Sequence, residues 1–120
     1  LIGVHIMISG WRLVRDAVLG LMDTALPEAE IEQIITLLQQ HLPAGVSYHA
    51  LRTRQSGRQR FVSVHIQVPG AWTVQEGHTL LEKIEQAIRQ QLAPITILTH
   101  LEPIEDPVSW DDIQLNRDGV

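Results

Sequence analysis

The 120-residue sequence contains no cysteine, which excludes disulfides, iron-sulfur clusters, thiolate zinc sites and thiol catalysis. Any metal held here must be held by nitrogen and oxygen. Aromatic residues are scarce, at 4% of the chain, so the core has to be aliphatic. Positive charge is in deficit: 9 Lys+Arg against 14 Asp+Glu give a formal net charge of −5 with histidine neutral. An acidic balance offers no broad electrostatic footprint for a phosphate backbone, so nucleic acid is not an expected partner. What is plentiful is apolar surface. At 44% apolar residues the chain is too hydrophobic for disorder and ordinary for one small domain around a single core.

The first residues, Leu1-Ile2-Gly3-Val4-His5-Ile6-Met7-Ile8-Ser9-Gly10-Trp11, form a mostly apolar run about half as long as the ~20 residues that cross a bilayer. They read as the end of a membrane span. A signal peptide carries positive charge before its apolar run, whereas Arg12 and Arg15 come after this one. Trp11 beside Arg12 matches an interfacial aromatic anchor with positive-inside charge, so the expected exit is cytoplasmic. Leu13, Val14, Ala17, Val18, Leu21 and Met22 continue at helical spacing, and an ordinary amphipathic helix is the competing reading. Asp23-Thr24-Ala25-Leu26-Pro27 then breaks the helix, because proline disfavours helical geometry at the residue before it while suiting the first turn of a new helix. This divides the chain into residues 1–26, helix end and hinge; residues 27–105, a compact domain; and residues 106–120, a polar tail expected to be loose.

In the compact domain, Glu28 and Glu30 suit the positive end of a helix whose apolar face is Ile31, Ile34, Ile35, Leu38 and Leu42. Val46–Gln55 and Arg60–Val68 are β-prone runs around the turn Ser56-Gly57, hence a hairpin. Val62, Val64, Ile66 and Val68 alternate against Phe61, Ser63, His65 and Gln67, so one strand face is core and the other carries His65. A second helix over Val74–Leu92 shows Leu80, Leu81, Ile84, Ala87 and Ile88 as its stripe, and Pro94 introduces a last strand. There Ile95, Ile97 and Leu101 oppose Thr96, Leu98, His100 and Glu102. The order αββαβ predicts an α+β open-faced sandwich with both helices on one side of a small sheet. The second sheet face is left to water, a ligand or another copy of the chain.

Four of the six histidines, His49, His65, His78 and His100, fall at or near element ends in this domain. His65 projects from the uncovered face, His49 lies on its hairpin partner, and His100 and Glu102 share one side of a strand about 7 Å apart. Imidazole nitrogen with carboxylate oxygen suits zinc and related divalent metals, and one carboxylate can bridge two ions through its two oxygens. Calcium would want more oxygen. Each histidine alone is equally an exposed polar residue, and the spacing has no HExxH pattern. Nothing nominates a substrate, so an enzyme is not expected. Arg52, Arg54, Arg58 and Arg60 flank the hairpin turn; without stacking aromatics beyond Phe61 and Tyr48 they read as solvated, salt-bridging or lipid-headgroup-facing rather than RNA-binding. A soluble sensor of a metal or small metabolite is the alternative function.

The run from Asp23 to Pro27, "H-A-L-R-T-R-Q-S-G" from His49, Phe61-Val62-Ser63-Val64-His65, Glu76-Gly77-His78 and Thr99-His100-Leu101-Glu102-Pro103 is similar to the carboxy-terminal cytoplasmic domain of the cation diffusion facilitator (cation efflux) transporters. The resemblance covers roughly residues 1–105. It implies a ferredoxin-like, metallochaperone-like homodimer hanging below six transmembrane helices that exchange zinc or similar ions for protons. The place implied is the cell (inner) membrane, with this domain on the cytoplasmic side and residues 1–22 ending the last transmembrane helix. It further implies that His49, His65, His78 and His100 are zinc ligands. Glu102 stands where the family has a bridging Asp, and Asp23 matches a charged residue that holds the transmembrane halves together. Metal would then draw the two domains together by cancelling the repulsion between them.

Overall fold

In a computed structural model the described residues are 1–21 and 24–111. Helix α1 spans Ile2–Leu21, α2 Glu28–His41, β1 Ser47–Ser56, β2 Gln59–Val68, α3 Val74–Leu92 and β3 Ile95–Pro103, with a 3-10 turn at Pro107–Trp110. The order αββαβ after a leading helix is the one the sequence predicts, and the fold is the ferredoxin-like open-faced sandwich. Among the described residues no helix is long and apolar enough to cross a membrane. Helix α1 nonetheless exposes Ile2, Val4, Ile6, Met7, Ile8, Trp11, Leu13, Val14 and Val18 to solvent. Asp23 lies outside the described residues.

Local chemistry sets the helix ends. Glu28 and Glu30 occupy the first turn of α2, and His41 Nδ1 meets the Leu37 carbonyl at 2.8 Å in its last. Helix α3 starts with a capping box: the Thr73 hydroxyl accepts from the Glu76 N–H while the Glu76 carboxylate accepts from the Thr73 N–H. Cis Pro94 leads from α3 into β3.

The sheet order is β1-β2-β3, with β2 antiparallel to β1 and parallel to β3. The parallel pairing uses α3 as its crossover. Val62, Val64, Ile66 and Val68 of β2 are buried with Ile34, Leu37 and Leu38 of α2 and Leu80, Ile84, Ile88 and Leu92 of α3, which puts both helices on one face. Gly77 is buried where α3 crosses β3, and a Cβ there would overlap the Leu101 side chain. Arg60, one of the four hairpin arginines, ties this layer together: its guanidinium holds the Glu30 carboxylate through Nε at 2.9 Å and Nη2 at 2.8 Å, and donates to the Leu92 carbonyl at 3.1 Å.

Two features were not legible in the sequence. Strand β1 carries a bulge between His49 and Arg52, with Ala50 at φ +52°, a left-handed conformation that costs energy for a residue with a Cβ. The extra residue shifts the alternation of β1, so His49, Arg52 and Arg54 share one face while Tyr48, Leu51 and Thr53 turn toward the helices. The second feature concerns the segment expected to be a loose tail, residues 106–120: 106–111 fold back onto the second sheet face, and 112–120 lie outside the described residues. The Asp106 carboxylate caps the 3-10 turn by accepting from the Val108 N–H, Ser109 is buried, and its carbonyl accepts from the buried Gln67 amide at 3.3 Å. The second face is therefore covered at one end by the chain itself.

The hinge is also fixed in place. Thr24 and Gln55 exchange backbone hydrogen bonds of 2.7 and 3.4 Å, and the Leu26 N–H donates to Thr53 Oγ1 at 3.2 Å. The segment leaving α1 is thus sewn to the hairpin end of β1.

Candidate metal centre

Strand pairing places His49 opposite His65 and His65 opposite His100, so three histidines form one row across all three strands. Neighbouring imidazoles have ring centroids 5.1 and 5.0 Å apart. The next row on the same face is Ser47, Gln67 and Glu102. These rows are a consequence of register, and the histidines meet although 50 residues of chain lie between His49 and His100.

Glu102 closes the cluster. Its Oε2 lies 2.7 Å from His49 Nε2, its Oε1 lies 2.8 Å from His65 Nδ1, and His100 Nε2 stands 3.6 Å from that same Oε1. The carboxylate is 7% exposed, His49 11%, His65 25% and His100 65%, so the cluster grades from a buried end beneath residues 106–111 to an open end at His100. Ligand atoms of His49, His65 and Glu102 lie within 4.8 Å of one another. His49 Nδ1 is buried without a hydrogen-bond partner among the described residues.

The donor chemistry fits a divalent transition metal. A buried carboxylate is costly unless cations or hydrogen bonds compensate it, and here each oxygen already faces an imidazole nitrogen. The hydrogen bond between His49 Nε2 and Glu102 Oε2 is what an ion there would replace. Two oxygens facing different imidazoles would offer two half-sites to metal ions, one with His49 and one with His65 and His100.

His78 is not part of this cluster. It stands exposed on α3, a helix that packs on the opposite sheet face from the three-histidine row. Sequence reasoning also passed over Trp110, whose ring lies 6.2 Å from that of His49 at an interplanar angle of 30°, and Gln67, which accepts from the Ser47 hydroxyl at 2.8 Å. At the other end of the same face a groove of about 540 Å³ is lined by Arg52, Arg54, Phe61, Ser63 and Leu98 among others, with the Arg54 guanidinium 4.1 Å from the Phe61 ring centroid. Cation–π stacking, rather than base stacking, accounts for that aromatic.

Residues 26–104 match the family model described as "Cation efflux protein, cytoplasmic domain". The chain is 42% identical over 124 residues to an uncharacterized transporter of Synechocystis, covering 98% of this chain and 40% of that protein. It is 38% identical over 103 residues to the cation-efflux pump FieF of Pectobacterium atrosepticum, covering 86% of this chain and 34% of the pump. The chain thus spans about two fifths or less of the curated relatives it matches. Among solved structures, the Zn form of CzrB superposes with a TM-score of 0.62 at 34% identity, covering 68% of this chain and 93% of that one. The metal-bound C-terminal domain of the CzcD transporter from Thermotoga maritima shares the fold, with a TM-score of 0.58 at 24% identity over 68% of this chain and 99% of that domain.

Proposed function

The chain belongs to the cation efflux family and carries its cytoplasmic domain, and from that premise we propose that it is the metal-sensing, dimerising regulatory domain of a divalent-cation efflux transporter. The observation that carries this is the Glu102 carboxylate, buried, with one oxygen at His49 and the other at His65. Zinc is the ion this nitrogen–oxygen set suits best, and the 34% identity to the Zn form of CzrB supports that choice. When bound, the ion supplies positive charge between groups that otherwise repel or remain desolvated.

What this chain's residues do is hold and orient. His49, His65, His100 and Glu102 converge within one protomer, and the rigid three-stranded row fixes their separations. The open end at His100, and the exposed position of His78, leave room for a second copy to complete the coordination, which is why the active form is a homodimer. Closure of the dimer reaches the membrane portion through the hinge, because Thr24 is paired with β1 and α1 ends at Leu21, shortly before it in the chain. Helix α1, with exposed apolar residues before Arg12 and Arg15, continues the last transmembrane helix on the cytoplasmic side of the cell membrane. Proton-coupled transport belongs to the remainder of the protein, and filling the cytoplasmic site biases it.

Spin labels on the two protomers test this. Zinc titration of the chain is expected to shorten the interspin distance and raise the dimer fraction, with calorimetric zinc uptake in parallel. An unchanged distance on saturation would overturn the regulatory reading, and absence of uptake would overturn the metal centre.

A further inference from the structure

We propose that residues 106–111 form a strap that controls ion exchange at the His49 half of the metal centre, with Trp110 as the positioning residue. The proposal rests on reading the histidine–glutamate cluster as a metal centre, and it concerns a segment that starts beyond residues 26–104, the extent of the family match.

The strap is anchored at several points. Ser109 is buried, its hydroxyl donates to the Pro103 carbonyl at 2.8 Å, and its own carbonyl accepts from Gln67 Nε2 at 3.3 Å. Gln67 is 1% exposed and is held from its other side by the Ser47 hydroxyl. Trp110 donates from Nε1 to the Ile104 carbonyl at 3.2 Å, which sets the plane of its ring 30° from that of His49 at 6.2 Å. A buried amide bonded to the strap on one side and to β1 on the other has no alternative partner in place if the strap lifts, so lifting is opposed by the desolvation already spent.

The consequence is an inequality between the half-sites. His49 is 11% exposed with the Trp110 ring beside it, while His100 is 65% exposed. An ion held by Glu102 Oε2 and His49 would lie beside the indole, itself 46% exposed, and its departure would require the strap to move. An ion on Glu102 Oε1, His65 and His100 leaves without that step. Affinity differences of this kind appear mainly in the off-rate.

The test uses the 120-residue chain loaded with Zn²⁺ and mixed rapidly with excess chelator. Release from the unmodified chain is expected in a fast and a slow phase. Trp110→Ala should accelerate the slow phase about tenfold, the size expected for losing one packed aromatic ring, and leave the fast phase alone. Trp110→Phe, which keeps a ring, should restore most of the slow phase. A chain retaining only Trp110, made with Trp11→Phe and Trp72→Phe, reads the same point without touching the strap: Co²⁺ quenching of its fluorescence should reverse with the slow phase. A slow phase unchanged in Trp110→Ala, a release with no slow phase, or quenching that reverses with the fast phase overturns the strap while leaving the metal centre standing. No uptake of Zn²⁺ by the unmodified chain overturns both.

Discussion

His49 Nε2 and Glu102 Oε2 stand 2.7 Å apart although their residues belong to the two outer strands of the sheet. Two strand spacings separate those backbones by roughly 10 Å, and the contact exists because Glu102 reaches across β2, above the row of Gln67. The extra methylene that distinguishes Glu from Asp lets this side chain touch His49 directly while the second oxygen stays on His65. Glu102→Asp is therefore expected to keep the His65 half-site and lose the His49 half-site, halving the zinc stoichiometry in calorimetry. Glu102→Gln, which removes the charge shared by both, should weaken zinc by about a hundredfold or more. Unchanged stoichiometry in Glu102→Asp would show that the span is not needed.

Removing His65 and His100 together takes away every imidazole on Glu102 Oε1 and the centre of the row. Zinc uptake by the double alanine variant should fall by half or more, since only His49 is left beside Glu102. His78→Ala should behave differently: the protomer keeps its zinc-binding row, but zinc-driven dimerisation, followed by sedimentation, should weaken. A sensor of small metabolites would retain its ligand affinity in the first variant and show neither loss.

The Arg60–Glu30 pair makes an acid-side prediction. Hydrogen bonding from the Arg60 guanidinium, aided by its charge and opposed by partial burial, holds the Glu30 carboxyl below its ordinary 4.5. A depressed carboxyl contributes stability that is fully present above its unfolded value and disappears as pH falls through the folded one. Arg60→Met should thus lower stability by about 1 kcal/mol at neutral pH, since the pair is bidentate but partly exposed. In urea unfolding the gap to the unmodified chain should narrow as pH drops below 4.5. A gap that persists in acid would assign the effect to packing of the arginine stem.

Gly77 tests how tightly α3 seats the strand that carries His100 and Glu102. Gly77→Ala drives a methyl into Leu101, and the strain outweighs the better helix propensity of alanine, for a net loss of about 1 kcal/mol. Combined with Leu101→Ala, the two costs should fall short of their sum because the smaller neighbour removes the overlap. Additive costs in thermal unfolding would place the penalty elsewhere.

Most of the fold was legible because its periodicities are clean. The alternation Val62, Val64, Ile66, Val68 against Phe61, Ser63, His65, Gln67 named the faces of β2, and Leu80, Ile84 and Ile88 named the buried stripe of α3. The faces of β1 were not legible: an alanine in a left-handed bulge carries no marker such as glycine, and a one-residue slip reverses every side chain after it. The strap was hidden for a related reason. Asp106 to Asp111 is short and polar without a repeat, so nothing local distinguishes it from a free end, and it is held by Gln67, a residue far away in the chain.

From the sequence alone came the ligand chemistry, nitrogen and oxygen without sulfur, and the element order that sends His65, His100 and Glu102 to one sheet face. Tertiary structure decided the distances: which oxygen of Glu102 meets which imidazole, that His78 lies apart, and that Trp110 sits over His49. Residue type and period act over a few neighbours, whereas these contacts depend on strand register and a returning segment, which only the closed fold brings within bonding range.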